Sequence, residues 1–296
     1  MIALSKEWLR DHPLPGHEHE TDKNQRGRVL AVGGGAFVPG ALRLTGEAAL
    51  RAGAGKLQLA TVADVALALG TTIPEAAVIA LPANGDGEID CGTAAAALQK
   101  NGGSCDALVL GPGMSVTPDC AELVTGLLGC LGDETGAVLD AAAIHACAEC
   151  GDAVRAFGGR AVLTPHAGEM AALTGRDAEW IGDHMEEMAI ETAADLNAVI
   201  VLKAARTVIA NPSGEAVTYP GGGPGLATGG SGDVLAGVIA GLISRRADPL
   251  VAAAWGVWVH GEAGAALTAQ LGGPGLLARE LLPLIPELLH SPATRG

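Results

Sequence analysis

The chain has 296 residues, 49% of them hydrophobic and 17% charged, which is enough for one large domain with a substantial core. Its formal net charge of −15 argues against a nucleic-acid partner or an anionic membrane surface, although one local cradle can still hold phosphate in an acidic protein. The opening MIALSKEWLRDHPLPG lacks the long apolar core of a secretory signal and no uninterrupted apolar run spans a bilayer; with six scattered cysteines that suit reduced thiols, the expected location is the cytoplasm.

Residues 1–27 are polar and rich in Pro and His, and read as a solvated, mobile arm. His12, His17 and His19 with Glu18 and Glu20 could bind a metal, but they lack helical spacing. Arg28 to Gly33 reads as a buried parallel strand ending in Gly33-Gly34-Gly35, followed by a helix from about Gly40 to Ala52. The glycine spacing does not meet the dinucleotide fingerprint, because Ala36, Phe37 and Val38 follow Gly35. Further strands are expected at 56–61, 77–81, 106–110, 137–140, 161–163 and 198–202. Loops at the C-terminal ends of such strands are where open α/β sheets bind ligands. Three of these loops carry Gly111-Pro112-Gly113-Met114, Asp140-Ala141-Ala142 and Thr164-Pro165-His166-Ala167-Gly168-Glu169. Cys147 and Cys150 have metal-like spacing, but no second pair follows, so they read as residues on a helix face. Lys203 follows a strand at once; it is either an exposed strand end or a point charge for phosphate. Residues 207–210 and 215–219 read as a β-hairpin, 185–197 as an amphipathic helix, and 249–267 as a helix whose Trp255 and Trp258 are core or subunit-contact residues. A terminal helix is expected over 276–289.

The chain is organised around TYPGGGPGLATGGSGDVLAGVIAGLISRR, residues 218–246. A glycine-rich turn that opens an apolar helix points several backbone N–H groups one way, and the helix dipole adds partial positive charge, so Gly230, Ser231 and Gly232 suit an anion. Asp233 would repel bound phosphate and is a poor choice for a pure binder. It makes sense as a base that takes a proton from a hydroxyl about to be phosphorylated. The plain alternative is an N-cap.

Ala227 to Gly237, AT-GG-SGDVLAG, resembles the signature of ribokinase-like small-molecule kinases and, more narrowly, of the ADP- or ATP-dependent NAD(P)H-hydrate dehydratases. The likeness runs through GRVLAVGGGAFVPGALRLTGEAALRAGAGKLQLAT (residues 27–61), Pro74-Glu75-Ala76, GPGM, LTPHAGEM, the lysine after a strand, and His260-Gly261-Glu262-Ala263-Gly264. It covers roughly residues 25–270 in ordered blocks. It departs where the family has D-A-D-A-L and this chain has Ala142 for the second Asp, and where Ala204 replaces a glycine after Lys203.

The resemblance implies an α/β fold: a single doubly wound, mostly parallel sheet with helices on both faces, ribokinase-like, forming one domain over 1–296. It implies substrate contacts at Ala41, Gly113, His166 and Asp233, with Asp233 catalytic. It places the adenine nucleotide against Lys203, Ala204, Ala205, Arg206 and Thr207, and against Gly230, Ser231 and Gly232. Glu169 would either help position Mg²⁺ or water, or favour a helix start. Mg²⁺ would be held through the donor's phosphates, with no protein ligand assigned. The implied reaction is repair of hydrated NADH or NADPH, of the S epimer, through a phosphorylated intermediate with ADP or ATP as donor. The chain is expected to stand alone without the epimerase domain fused to some relatives, and to form a homo-oligomer, tetramers included. Two other readings are a related kinase of a vitamin-precursor alcohol, of the hydroxyethylthiazole or pyridoxal type, and a non-catalytic nucleotide sensor.

Overall fold

A computed structural model describes residues 2–16 and 26–290. Ten strands form one sheet: β1 (Ile2–Ala3), β2 (Arg28–Val32), β3 (Lys56–Val62), β4 (Ala76–Leu81), β5 (Ala107–Leu110), β6 (Gly136–Leu139), β7 (Ala161–Leu163), β8 (Val199–Leu202), β9 (Thr207–Ala210) and β10 (Ala216–Tyr219). Their order is β1-β10-β9-β8-β7-β6-β5-β2-β3-β4. Strands β2 to β8 run parallel, and only the β8–β9 and β9–β10 pairs are antiparallel. The order reverses between β2 and β5, and this switch point brings the loops Gly33–Gly35 and Gly111–Gly113 together. The fold is the doubly wound, mostly parallel architecture expected.

The helices are α1 (Lys6–Asp11), α2 (Pro39–Arg51), α3 (Ala63–Thr72), α4 (Cys91–Gly102), α5 (Cys120–Cys130), α6 (Ala142–Ala156), α7 (Ala167–Thr174), α8 (Ala178–Asp183), α9 (Met185–Leu196), α10 (Ser231–Ser244), α11 (Pro249–Leu271), α12 (Ala278–Leu281) and α13 (Ile285–His290). Alternate strand residues feed two cores. Val29, Ala31, Val109 and Val138 face one layer with α10 and α11. Leu30, Val32, Leu110 and Leu139 face the other with α5, α6 and α9. Strands buried on both faces read as unbroken apolar runs, which is why they were legible.

Helix α10 is buried along nearly its whole length. It lies against α2 through Gly237 and Gly241: a Cβ on Gly237 would stand 2.2 Å from the Thr45 carbonyl oxygen, and one on Gly241 would stand 2.6 Å from that of Ala49. Glycine at this four-residue spacing lets the two backbones approach. Trp255 and Trp258 are core residues, edge to face at 6.4 Å. Cys147 and Cys150 are buried on α6, and all six cysteines are unpaired. The expected terminal helix is broken into α12, a 3₁₀ turn at Leu282–Leu284, and α13, as Pro283 and Pro286 require.

The N-terminal segment differs from the solvated arm expected. Residues 2–3 pair with β10, and Trp8 and Leu9 are buried. Trp255 Nε1 donates to the His12 carbonyl at 2.9 Å, and the His12 ring stacks on Trp8. A six-residue helix, capped by Ser5, suffices to seat two apolar side chains, and polar composition hid it. His17, Glu18, His19 and Glu20 lie outside the described residues. Among those described, no helix is long and apolar enough to cross a membrane.

Candidate active site

A cavity of about 810 Å³ opens beyond the C-terminal ends of β6, β7 and β8. That volume falls in the range of small-molecule and cofactor sites, roughly 300–1,000 Å³. Its polar lining includes Asp140, His166, Lys203, Ser231, Asp233 and His260, and its lining also includes Gly221–Gly223, Pro224, Leu226 and Val257.

The glycine turn opens α10 as the sequence demands. Gly230 is the N-cap at φ +89°, a left-handed conformation, and a Cβ there would meet Leu44 Cδ1 at 2.6 Å. No side chain caps the helix; the Ser231 N–H donates to the Thr228 carbonyl at 3.3 Å, and the N–H groups of Gly232 and Asp233 are the ones that suit a ligand. Asp233 is the third residue of the helix, in its first turn and not at the N-cap, and lines the cavity. The capping alternative is therefore set aside. Burial pushes its pKa up to about 6, with the Asp140 charge adding to the rise and Lys203 opposing it. A carboxylate so tuned is ionised at neutral pH yet basic enough to accept a proton.

Lys203 bridges the two sides. Its Nζ lies 3.3 Å from Asp140 Oδ1 and 4.0 Å from Glu169 Oε2. A Cβ on Gly232 would stand 3.5 Å from the same ammonium, so the cation and the turn amides share one corner. Asp140 is buried and also accepts from Thr164 Oγ1 at 2.6 Å. The following residue, Ala141, takes the strained φ of +48° that carries the chain from β6 into α6. His166 caps α7: its Nδ1 accepts from the N–H groups of Gly168 and Glu169, at 3.0 and 3.1 Å. Glu169 Oε2 accepts in return from the His166 N–H at 2.9 Å, completing a capping box. An accepting Nδ1 puts the proton of the neutral ring on Nε2.

Ala204, Ala205, Thr207, Gly230, Ser231 and Gly232 line the same cavity. Arg206 does not. The turn into antiparallel β9 sends it to a separate depression shared with Glu186 and Glu187. Ala41 and Gly113 also lie off this cavity, facing each other at the switch point: a Cβ on Gly113 would meet Ala41 Cβ at 2.7 Å. Ala142, which stands where the resembled pattern has its second Asp, is buried at the start of α6. Sequence reasoning missed Asp140 as the partner of Lys203 and the Tyr219–Leu226 lining, and it read His260 only as part of the family likeness, without its contact to Ser231. Each had a signal: a strand-end acid, a glycine-proline run, and a histidine followed by Gly261 in an apolar helix.

Residues 29–287 match the family model described as NAD(P)H-hydrate dehydratase. The chain is 48% identical over 284 residues to the ADP-dependent (S)-NAD(P)H-hydrate dehydratase of Xanthomonas campestris pv. campestris, covering 95% of this chain and 93% of that one. Among solved structures, it is similar to the ADP/ATP-dependent NAD(P)H-hydrate dehydratase from Bacillus subtilis co-crystallized with ATP/Mg²⁺, at 30% identity, a TM-score of 0.78 and 97% of each chain. It is also similar to a ribokinase-like superfamily protein from Enterococcus faecalis, at 26% identity and a TM-score of 0.83, over 99% of this chain and 96% of that one.

Proposed function

The chain belongs to the NAD(P)H-hydrate dehydratase family, and from that premise we propose that its cavity returns the S epimer of hydrated NADH or NADPH to the intact cofactor, using ADP or ATP as phosphoryl donor. The ring hydroxyl attacks the donor's terminal phosphorus. Its proton passes to the Asp233 carboxylate, and the donor's bridging oxygen leaves as AMP or ADP. The ring then loses phosphate and a proton, which restores the dihydronicotinamide. The observation that carries this reading is Asp233 on the cavity wall, held at a pKa of about 6, beside the uncapped start of α10 and Lys203. Turn amides and an ammonium around one corner stabilise charge on a migrating phosphoryl group and need no rearrangement when it moves.

The remaining assignments follow the same geometry. Lys203 pairs with the donor's phosphate oxygens, and Ala204, Ala205, Thr207, Gly230, Ser231 and Gly232 contact the nucleotide. His166, whose Nε2 lies 3.6 Å from Glu169 Oε1, contacts the substrate from the cavity wall. Ala41 and Gly113 seat the part of the dinucleotide that extends toward the switch point. Mg²⁺ would be held mainly through the donor's phosphates and water, and Asp140 and Glu169, which face Lys203, are the carboxylates that could join it. Bound there, it would neutralise charge on the donor's phosphates. The six unpaired cysteines support a reducing compartment, the cytoplasm. Exposed Phe37, Val38 and Val116 support assembly as a homo-oligomer, for which a tetramer is one arrangement.

Incubating the protein with hydrated NADH tests the function. Recovery of NADH absorbance that requires ADP or ATP supports it. A protein that instead phosphorylates a hydroxyethylthiazole- or pyridoxal-type alcohol, and leaves hydrated NADH untouched, is the vitamin-precursor kinase, which the 48% identity makes the weaker reading.

A further inference from the structure

Ser231 and His260 meet at the edge of the glycine turn, with Ser231 Oγ 2.9 Å from His260 Nε2. Ser231 opens α10, while His260 reaches the cavity from α11 on the other side. Helix α11 comes this close because Gly261 and Gly264 leave room for Tyr219 and Leu226; a Cβ on Gly261 would stand 2.1 Å from Tyr219 Cε1. The neighbouring Glu262 is already engaged by the Tyr219 hydroxyl at 2.9 Å. Desolvation, opposed by a hydrogen bond to the Ser231 backbone and helped slightly by the Lys203 charge, pushes the His260 pKa down to about 4, so the ring is neutral near pH 7.

A neutral imidazole has one N–H and one bare nitrogen, which allows two arrangements. In one, Ser231 donates to a bare Nε2 and turns only lone pairs toward the cavity. Beside an anion gathered by the turn amides that arrangement is repulsive. In the other, Nε2–H donates to Ser231 Oγ and leaves the serine proton free for the anion.

We propose that His260 is a positioning residue for phosphoryl transfer: its Nε2–H donates to Ser231 Oγ, and Ser231 directs its own O–H at the phosphoryl group over the Gly230–Gly232 turn. The inference rests on the phosphoryl-transfer reading above and adds a side-chain donor to the amides and Lys203. It also gives the half-buried histidine a task that helix packing alone does not require.

Steady-state turnover of hydrated NADH is measured for wild type, Ser231→Ala, His260→Ala, His260→Gln and the Ser231→Ala/His260→Ala double variant. His260→Ala is expected to lower kcat by about 10- to 100-fold, as loss of an orienting partner does, with KM for hydrated NADH little changed. His260→Gln, whose amide N–H can reach the same oxygen, recovers most of that loss. His260→Ala adds less than about 2-fold in the Ser231→Ala background, because a group that acts through another shows no independent effect. Wild-type kcat in His260→Ala, or single losses that multiply in full in the double variant, overturns the proposal. The ring nitrogens of ¹⁵N-histidine-labelled wild type with ADP and Mg²⁺ decide it even if a variant fails to fold. A protonated Nε2 on His260 is expected, and a bare Nε2 overturns the proposal. Wild type that leaves hydrated NADH unchanged sinks the functional reading instead, and the labelled ring still reports on the Ser231 contact.

Discussion

Asp233 is costly where it stands. Its folded pKa of about 6 lies above the ordinary carboxylate value of 3.8, because ionising it means burying charge near Asp140. A group with a raised pKa lends the fold stability that is complete below its unfolded pKa and is lost as pH rises through its folded pKa, here between 3.8 and about 6. Asp233→Asn is therefore expected to be more stable than wild type at pH 8, by about 1–3 kcal/mol, with the difference shrinking toward pH 4. Urea unfolding at the two pH values measures it, and equal stability at pH 8 would contradict the burial argument. The same titration governs rate. Below pH 6 the base becomes protonated, so kcat/KM should fall about tenfold per pH unit on the acid side of a limb near pH 6.

Helix α10 has to be rigid for that carboxylate to be useful, and its rigidity comes from α2. Gly237→Ala would thrust a methyl into the Thr45 carbonyl, 2.2 Å away. The helices would have to part, at a cost of about 1–3 kcal/mol, and the start of α10 would shift with them. A lowered urea midpoint with a disproportionate loss of kcat is expected; an unchanged midpoint would mean that the seam is looser than drawn. Helix α1 makes a second prediction. Trp8 is 6% exposed against the α11 side of the core, so Trp8→Ala should cost about 3–5 kcal/mol while leaving KM unchanged, being remote from the cavity. Destabilisation under 1 kcal/mol would restore the solvated-arm reading. These elements also show what sequence can reveal. The α10 turn was legible because glycine and a following apolar run have a local physical meaning. The docking of α1 was not, since it depends on a β10 edge formed more than two hundred residues later.

Across the whole molecule, the site is assembled from strand ends that the sheet order makes neighbours. Asp140, Glu169 and Lys203 follow β6, β7 and β8, three adjacent parallel strands, so residues 63 positions apart in the case of Asp140 and Lys203 become an ion pair. Nothing local in sequence announces that pair, whereas the positions of each residue at a strand end were readable one at a time. Arg206 shows the converse: a motif read in one dimension counted it with its neighbours, and the antiparallel turn into β9 sends it elsewhere. Nucleotide binding at this junction should stabilise the entire fold, by about 2.7 kcal/mol at a hundredfold excess over Kd. Thermal unfolding with and without ADP measures this, and Lys203→Met should lose most of the shift. A shift undiminished in Lys203→Met would move the phosphates away from this corner.

The central claim is that the Asp233 carboxylate takes the proton from the ring hydroxyl of the hydrated cofactor. It is tested most directly by following NADH absorbance after hydrated NADH and ADP, or ATP, are added to wild type and to Asp233→Asn. The account predicts recovery in wild type and a rate at least about 100-fold lower in the variant, with the nucleotide still producing its thermal shift in both. Recovery in Asp233→Asn at the wild-type rate would contradict it.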